Sequence, residues 1–204
     1  MAAINIPEFS GVMLLPDCTL FPHGALPLHI FEPRYQVMLE KALEGDCMFC
    51  VTRLLAPEGR DLGRCAAPVG TIGLIRASRE QDGGTSDLIL HGVIRVRFDY
   101  WLDSAPFPQA HITPVRSLGA TTPAAAAQAT RLRAAVRSAV ASLPPEIGEA
   151  VETLFVRADD PVILADIISQ QFLRDPDERQ QVLEMEELSE RIDFLIGILA
   201  RGVI

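Results

Sequence analysis

The sequence predicts an α+β protein, a twisted, partly closed β domain followed by an α-helical bundle, and three observations carry that expectation. Residues 10–117 hold six short apolar or alternating segments interrupted by one helical pattern. Residues 118–123, LGATTP, suit neither pattern, and beyond them strand signals give way to apolar residues at helical spacing. We therefore place the boundary between domains at 118/119, giving 1–118 and 119–204. With 204 residues, 49% of them hydrophobic, the chain has apolar surface enough for a real core.

The strands are expected over 11–15, 25–31, 47–54, 69–77, 88–102 and 109–117. Within 14–43, LLPDCTLFPHGALPLHIFEPRYQVMLEKAL, the apolar run 25–31 is stopped by Glu32 and Pro33, which also open a helix. Proline suits a first helical position because it has no amide hydrogen to lose and its φ is already helical; the acid beside it faces the positive end of the helix dipole. Tyr35, Met38, Leu39, Ala42 and Leu43 then share one helical face, and Gly45 closes it. The clearest alternation places Leu88, Leu90, Ile94, Val96 and Phe98 on one strand face and His91, Arg95, Arg97 and Asp99 on the other. Gly92 interrupts it, as at a bulge or barrel corner. Asp82, Gly83 and Gly84 supply the positive φ angles of a hairpin turn.

In the second half, an alanine-rich helix over 123–143 carries Leu132, Val136, Val140 and Leu143 at helical spacing. Pro144 with Pro145, Asp160 with Pro161, and Asp175 with Pro176 each end one helix or start the next. The last helix lines up Leu188, Ile192, Leu195, Ile196 and Leu199. None of these helices is apolar all round, so each has one face to bury and a bundle follows.

Composition narrows the chemistry. Four cysteines include one close pair, Cys47 and Cys50, whereas a structural zinc site uses two; in a strand these two point to opposite faces, so buried free thiols are expected and no metal or cofactor. Cys18 has Asp17 and His23 near it in sequence, but DCTLFPHG reads as a turn with solvated polar residues. His29, His91 and His111 stand singly among apolar residues. The net charge is −9, with 10 basic and 13 acidic residues up to 118 and 8 and 14 beyond it, so the helical end is the more acidic. A basic patch that would release counterions from phosphate is missing from this composition, which disfavours nucleic acid. The stretch 175–193, with 8 acids and 2 bases, is the wet face of helices that would favour basic over anionic partners. No run reaches the roughly 20 apolar residues of a membrane span, and the start, MAAINIPEF, lacks the features of a secretion signal, so a cytoplasmic location is expected.

The segment 14–43 resembles the N-terminal domain of the ATP-dependent Lon proteases on Leu15 and Pro16, Phe21 and Pro22, and the IFEPRY junction from Ile30 to Tyr35. Residues 69–73, VGTIG, and 88–98, LILHGVIRVRF, are similar to two further blocks of that family, and the resemblance spans roughly 10–200. It implies a PUA-like β pseudo-barrel followed by a helical domain, acting as a stand-alone, non-catalytic module that recognises or positions unfolded or flexible protein segments, with a separate Lon-type protease as a possible partner. The full enzyme needs an ATP-loop lysine and a serine-lysine dyad. Lys41, the one lysine here, lies inside a helix with no glycine-rich loop before it and fits neither. Phe21, Glu32, Arg34 and Tyr35 are the candidate protein-binding residues, although a helix cap and an arginine holding a neighbouring carboxylate is the plainer reading of Glu32 and Arg34. Loops 18–25, 55–68 and 80–86 are candidate rims of a groove. RNA binding through the PUA-like architecture and a small-ligand receptor are the alternatives.

Overall fold

The structure is a computed structural model and describes residues 5–57, 61–81 and 83–202. Two compact units, 1–115 and 116–204, divide the chain.

The first unit contains β1 (Phe9–Leu15), β2 (Ala25–Ile30), α1 (Pro33–Glu44), β3 (Met48–Arg53), a single turn α2 (Leu62–Cys65), β4 (Val69–Glu80), β5 (Ser86–Leu102) and β6 (Gln109–Pro114). The strands run in the order β2-β5-β4-β3-β1-β6, and a further pairing of β5 with β6 closes five of them on themselves. Closure depends on the length of β5. Residues 86–91 pair with β2, while residues 96–102 pair with β6, so β2 remains an edge strand outside the barrel. Only β1 and β3 run parallel; the other neighbours are antiparallel.

Both faces of the barrel wall are buried, which explains why β3 reads as an unbroken apolar run. Cys50 of β3, with Val12, Ile72, Val96 and Ile112, fills the interior. Phe49 and Val51, with Met13, Leu39, Leu88 and Leu90, meet α1 on the other side. The expectation that Leu88 through Phe98 share one face is thereby corrected. Ile72 pairs with Ile94 and Gly73 with Gly92, leaving Val93 as an extra residue in β5. One inserted residue in a period-two element turns everything after it to the opposite face. Leu88 and Leu90 accordingly join the α1 side, and Val96 and Phe98 the interior.

Arg95, which the alternation sets on the face opposite Ile94 and Val96, is buried. Its cross-strand partner Thr71 is also buried and donates through Oγ1 to the Leu20 carbonyl at 2.6 Å, so the loop between β1 and β2 covers this face. Cys47 is likewise corrected: with φ 59° it belongs to the turn after α1, and β3 begins at Met48. All four thiols are free, and burial pushes that of Cys50 up to about 12, which leaves it without nucleophilic thiolate at neutral pH. Gly83 and Gly84 take positive φ in the β4–β5 turn as expected, while Asp82 lies outside the described residues.

The second unit is helical: α3 (Pro123–Val140), α4 (Pro145–Arg157), α5 (Pro161–Phe172), α6 (Pro176–Glu184) and α7 (Leu188–Ala200). Leu132 and Val136 of α3, Leu164 and Ile168 of α5, and Leu188, Ile192 and Leu195 of α7 are buried. The aspartate-proline starts act as expected. Asp160 Oδ1 accepts from Val162 N at 2.7 Å and Ile163 N at 3.3 Å; Asp175 Oδ1 accepts from Asp177 N and Glu178 N at 2.9 and 3.0 Å. Asp160→Ala leaves those α5 amides without that acceptor and should lower unfolding free energy by about 1 kcal/mol, whereas Asp160→Asn should retain most of it. Urea midpoints of the two variants, compared with the parent, check this.

Candidate protein-binding surface

The strand β2, the outer part of β4 and the first residues of β5 form a three-strand flap. Cross-strand pairing sets two rows on it: Pro27, Ile89 and Ala77, then His29, Asp87 and Arg79. The first row is apolar and the second is charged. Leu28, Leu88 and Leu90 turn toward the α1 side, so Ile89 between them points away from that core and remains 45% exposed. A groove of about 500 Å³ runs along the flap, lined by Pro27, Leu28, Ala77 and Ile89 with His29 and Asp87 at its margin. Phe31, immediately after β2, is 62% exposed and stacks on the His29 ring at 6.1 Å.

The polar margin is ordered. His29 Nδ1 lies 2.7 Å from Asp87 Oδ1, and Gln81 Nε2 donates to Asp87 Oδ2 at 2.7 Å. These two contacts, His29 first, hold the Asp87 carboxyl below its ordinary range. Gln36 Nε2 donates to the Gly84 carbonyl at 2.7 Å and ties the β4–β5 turn to α1. The Asp87 margin of the groove is thus held by two side chains, His29 and Gln81.

The four residues singled out from the sequence divide into two pairs. Phe21 is buried in the loop against β5, and Tyr35 is buried beneath α1, where its hydroxyl accepts from Leu14 N at 3.1 Å. Neither presents its side chain to a partner; both hold the scaffold. Glu32 and Arg34 are half-exposed beside Phe31. Arg34 Nε donates to Glu32 Oε2 at 2.9 Å, and its guanidinium lies 4.6 Å from the Tyr35 ring centroid. Glu32 occupies the N-cap position without a side-chain cap bond, so its carboxylate serves Arg34 rather than the helix amides. Among the suggested rim loops, residues 58–60 and Asp82 lie outside the described residues.

Sequence reasoning missed Pro27, Phe31 and Ile89. A signal existed for Ile89: it is apolar at a position where the alternation of Leu88 and Leu90 calls for a polar side chain. Phe31 gave a similar one, being apolar at the strand-to-helix junction, where no core position is due.

A closed sheet bearing an exposed apolar flap, followed in the chain by a helical unit, defines the class: a two-part α+β domain with surface to offer. The family model for the ATP-dependent protease La (LON) substrate-binding domain matches residues 11–201, and the chain belongs to that family. Similar curated proteins include Lon protease 2 of Desulfotalea psychrophila, 29% identical over 195 residues, covering 93% of this chain and 24% of that protein. Another is the Lon protease of Xanthomonas oryzae pv. oryzae, 26% identical over 206 aligned residues, covering 95% and 23%. The chain spans about a quarter of the length of these relatives. The match lies in the substrate-binding region and does not extend to their protease or ATPase regions.

Solved structures agree on the fold. The N-terminal domain of a Mycobacterium avium complex Lon protease superposes with TM-score 0.76 at 17% identity, covering 95% of this chain and 98% of that one. A Lon N-terminal domain protein from Xanthomonas campestris gives 0.64 at 18% identity, covering 93% and 97%. Among the described residues, no helix is long and apolar enough to cross a membrane.

Proposed function

We propose that this chain is a non-catalytic recognition module that holds unfolded or flexible protein segments on the outer face of β2, β5 and β4, serving a Lon-type protease. The observation that carries the reading is the apolar row Pro27, Ile89 and Ala77, left uncovered beside Phe31 on a sheet whose opposite face is packed under α1. Apolar side chains of an unfolded segment gain by leaving water there, while a folded protein has already buried its own. Pro27 lacks the N–H that strand addition along β2 would use, which favours docking on the face over pairing at the edge. Glu32 and Arg34 act as a polar border next to Phe31. Nucleic acid has no part in this reading, since a net charge of −9 repels phosphate.

The test is binding of a reduced, alkylated, dye-labelled unfolded protein, followed by anisotropy. Ile89→Asp combined with Phe31→Ser should weaken it about tenfold, equivalent to about 1.4 kcal/mol, with thermal unfolding unchanged because both side chains are exposed. Equal binding by parent and variant, or binding no stronger than to a folded control protein, refutes the reading.

A further inference from the structure

A second cleft lies at the other end of β5, between its last residues, α2 and the 103–108 segment. It encloses about 860 Å³, and among the described residues the charged side chains in its lining are two aspartates, Asp61 and Asp103. Trp101 forms one wall, with Leu62 and Pro106 among the apolar surfaces around it. We propose that this cleft is a specificity subsite for a cationic side chain, arginine or lysine, carried by the protein segments the module binds. The proposal rests on the substrate-binding reading and adds a charge preference to it.

Three features converge on that guest. Trp101 is held by stacking on Phe98, with centroids 5.2 Å apart and planes at 29°, so the indole is fixed before anything binds. Gly63 lies next to it: a Cβ there would sit 3.6 Å from Trp101 Cδ1, an ordinary contact, and its absence leaves this part of the indole uncovered by any side chain at position 63. Among the described residues, the Trp101 indole N–H and the Asp103 carboxylate have no hydrogen-bond or ion-pair partner. An aromatic face beside a carboxylate without a counterion attracts a cation from both sides, and the prolines and leucines take up its aliphatic stem. Among the described residues, two basic groups touch the lining. Arg64 pairs with Asp61 at 3.1 Å, but both are largely exposed, so the pair is weak and open to exchange. Lys41 Nζ lies 5.3 Å from the centroid of the Phe107 ring, which is itself buried. Asp103 is therefore the carboxylate left for a guest. Among the described lining residues, an anionic guest would meet two aspartates.

Trp101 is the only tryptophan in the chain, so intrinsic emission reports on this cleft directly. The probe is an end-blocked hexapeptide of glycine, alanine and leucine with one arginine, compared with the same peptide carrying citrulline, which keeps the shape and loses the charge. The arginine peptide should change the emission saturably, with affinity about fivefold or more above that of the citrulline peptide, and the preference should fall as salt rises from about 50 to about 500 mM. Asp103→Asn, an exposed change, should abolish the preference with the melting temperature unaltered. Equal titrations by the two peptides, no saturable response, or a preference that survives Asp103→Asn overturns the inference. Unfolded-protein binding by the same preparation separates the two proposals: if it persists while the arginine preference is missing, the subsite falls and the module stands. Failure of both probes removes both.

Discussion

Gly92→Ala should destabilise the β unit by about 3 kcal/mol or more, a large effect for a single added methyl group. A Cβ at this position would stand 2.2 Å from the Phe21 carbonyl oxygen, 2.9 Å from its carbon and 3.2 Å from Pro22 Cα. All three are backbone atoms, so no rotamer change relieves the overlap. The same approach carries two hydrogen bonds, His23 N to the Gly92 carbonyl and Gly92 N to the Gly24 carbonyl, both 2.9 Å. Moving the loop to admit the methyl stretches both bonds and uncovers buried Leu20 and Phe21. Gly148 in α4 is the control: apart from its chain neighbours and the backbone of its own helix, none of the described atoms lies within 4 Å of a Cβ built there, and Gly148→Ala should be neutral or stabilise by up to about 1 kcal/mol. Urea unfolding of both variants decides the matter. A Gly92→Ala protein as stable as the parent would mean that the loop does not lie on β5 as described.

The second large effect is expected at the ion pair buried in the helical unit. Arg191 of α7 and Asp166 of α5 are 0% and 2% exposed, and Arg191 Nη2 donates to Asp166 Oδ1 while its Nη1 donates to Ser117 Oγ at 3.1 Å. Asp166→Leu takes the carboxylate away from the buried guanidinium, and the expected loss is about 3 to 5 kcal/mol. Arg191→Met strands the carboxylate and should cost a similar amount. Asp166→Leu combined with Arg191→Met removes both charges, and its cost should fall well short of the sum of the single changes, because most of each single penalty comes from the charge left behind. Chemical denaturation of the four proteins completes the cycle. Additive losses would show that the two charges do not depend on each other.

These two sites differ in how far they could be read in advance. Gly92 was legible as an interruption of a strand, and a bulge or bend was the natural expectation. Which side the chain turned to afterwards was not, because period-two alternation gives the same even-numbered apolar pattern whether or not an extra residue intervenes. The burial of Arg95 follows from that blind spot, since it depends on a loop from β1–β2 lying over the flipped face. Asp166 and Arg191 carry no local signal: each sits on its own helix as an ordinary polar residue, and they meet only because α5 and α7 pack.

The binding surface was legible in part for the same reason. The IFEPRY junction stood out because proline, acid and aromatic residues at a helix start have strong local meaning, and that meaning proved structural for Tyr35 and, with the preceding turn, for Phe21. Exposure of Ile89 and Phe31 is a property of what fails to cover them, and local pattern does not record coverage by distant elements.

By itself, the sequence determined the existence, type and order of the six long strands and of α1, the proline-started helices, the acidic balance and the family likeness in 14–43. All of these rest on interactions within a few residues: side-chain alternation, capping and φ restriction. Tertiary structure alone decided barrel closure through the two halves of β5, the exchange of faces at Val93, the buried charge pair and the placing of an apolar flap in solvent. Each of those requires residues far apart in the chain to meet, and the physics of such contacts lies in packing rather than in neighbourhood.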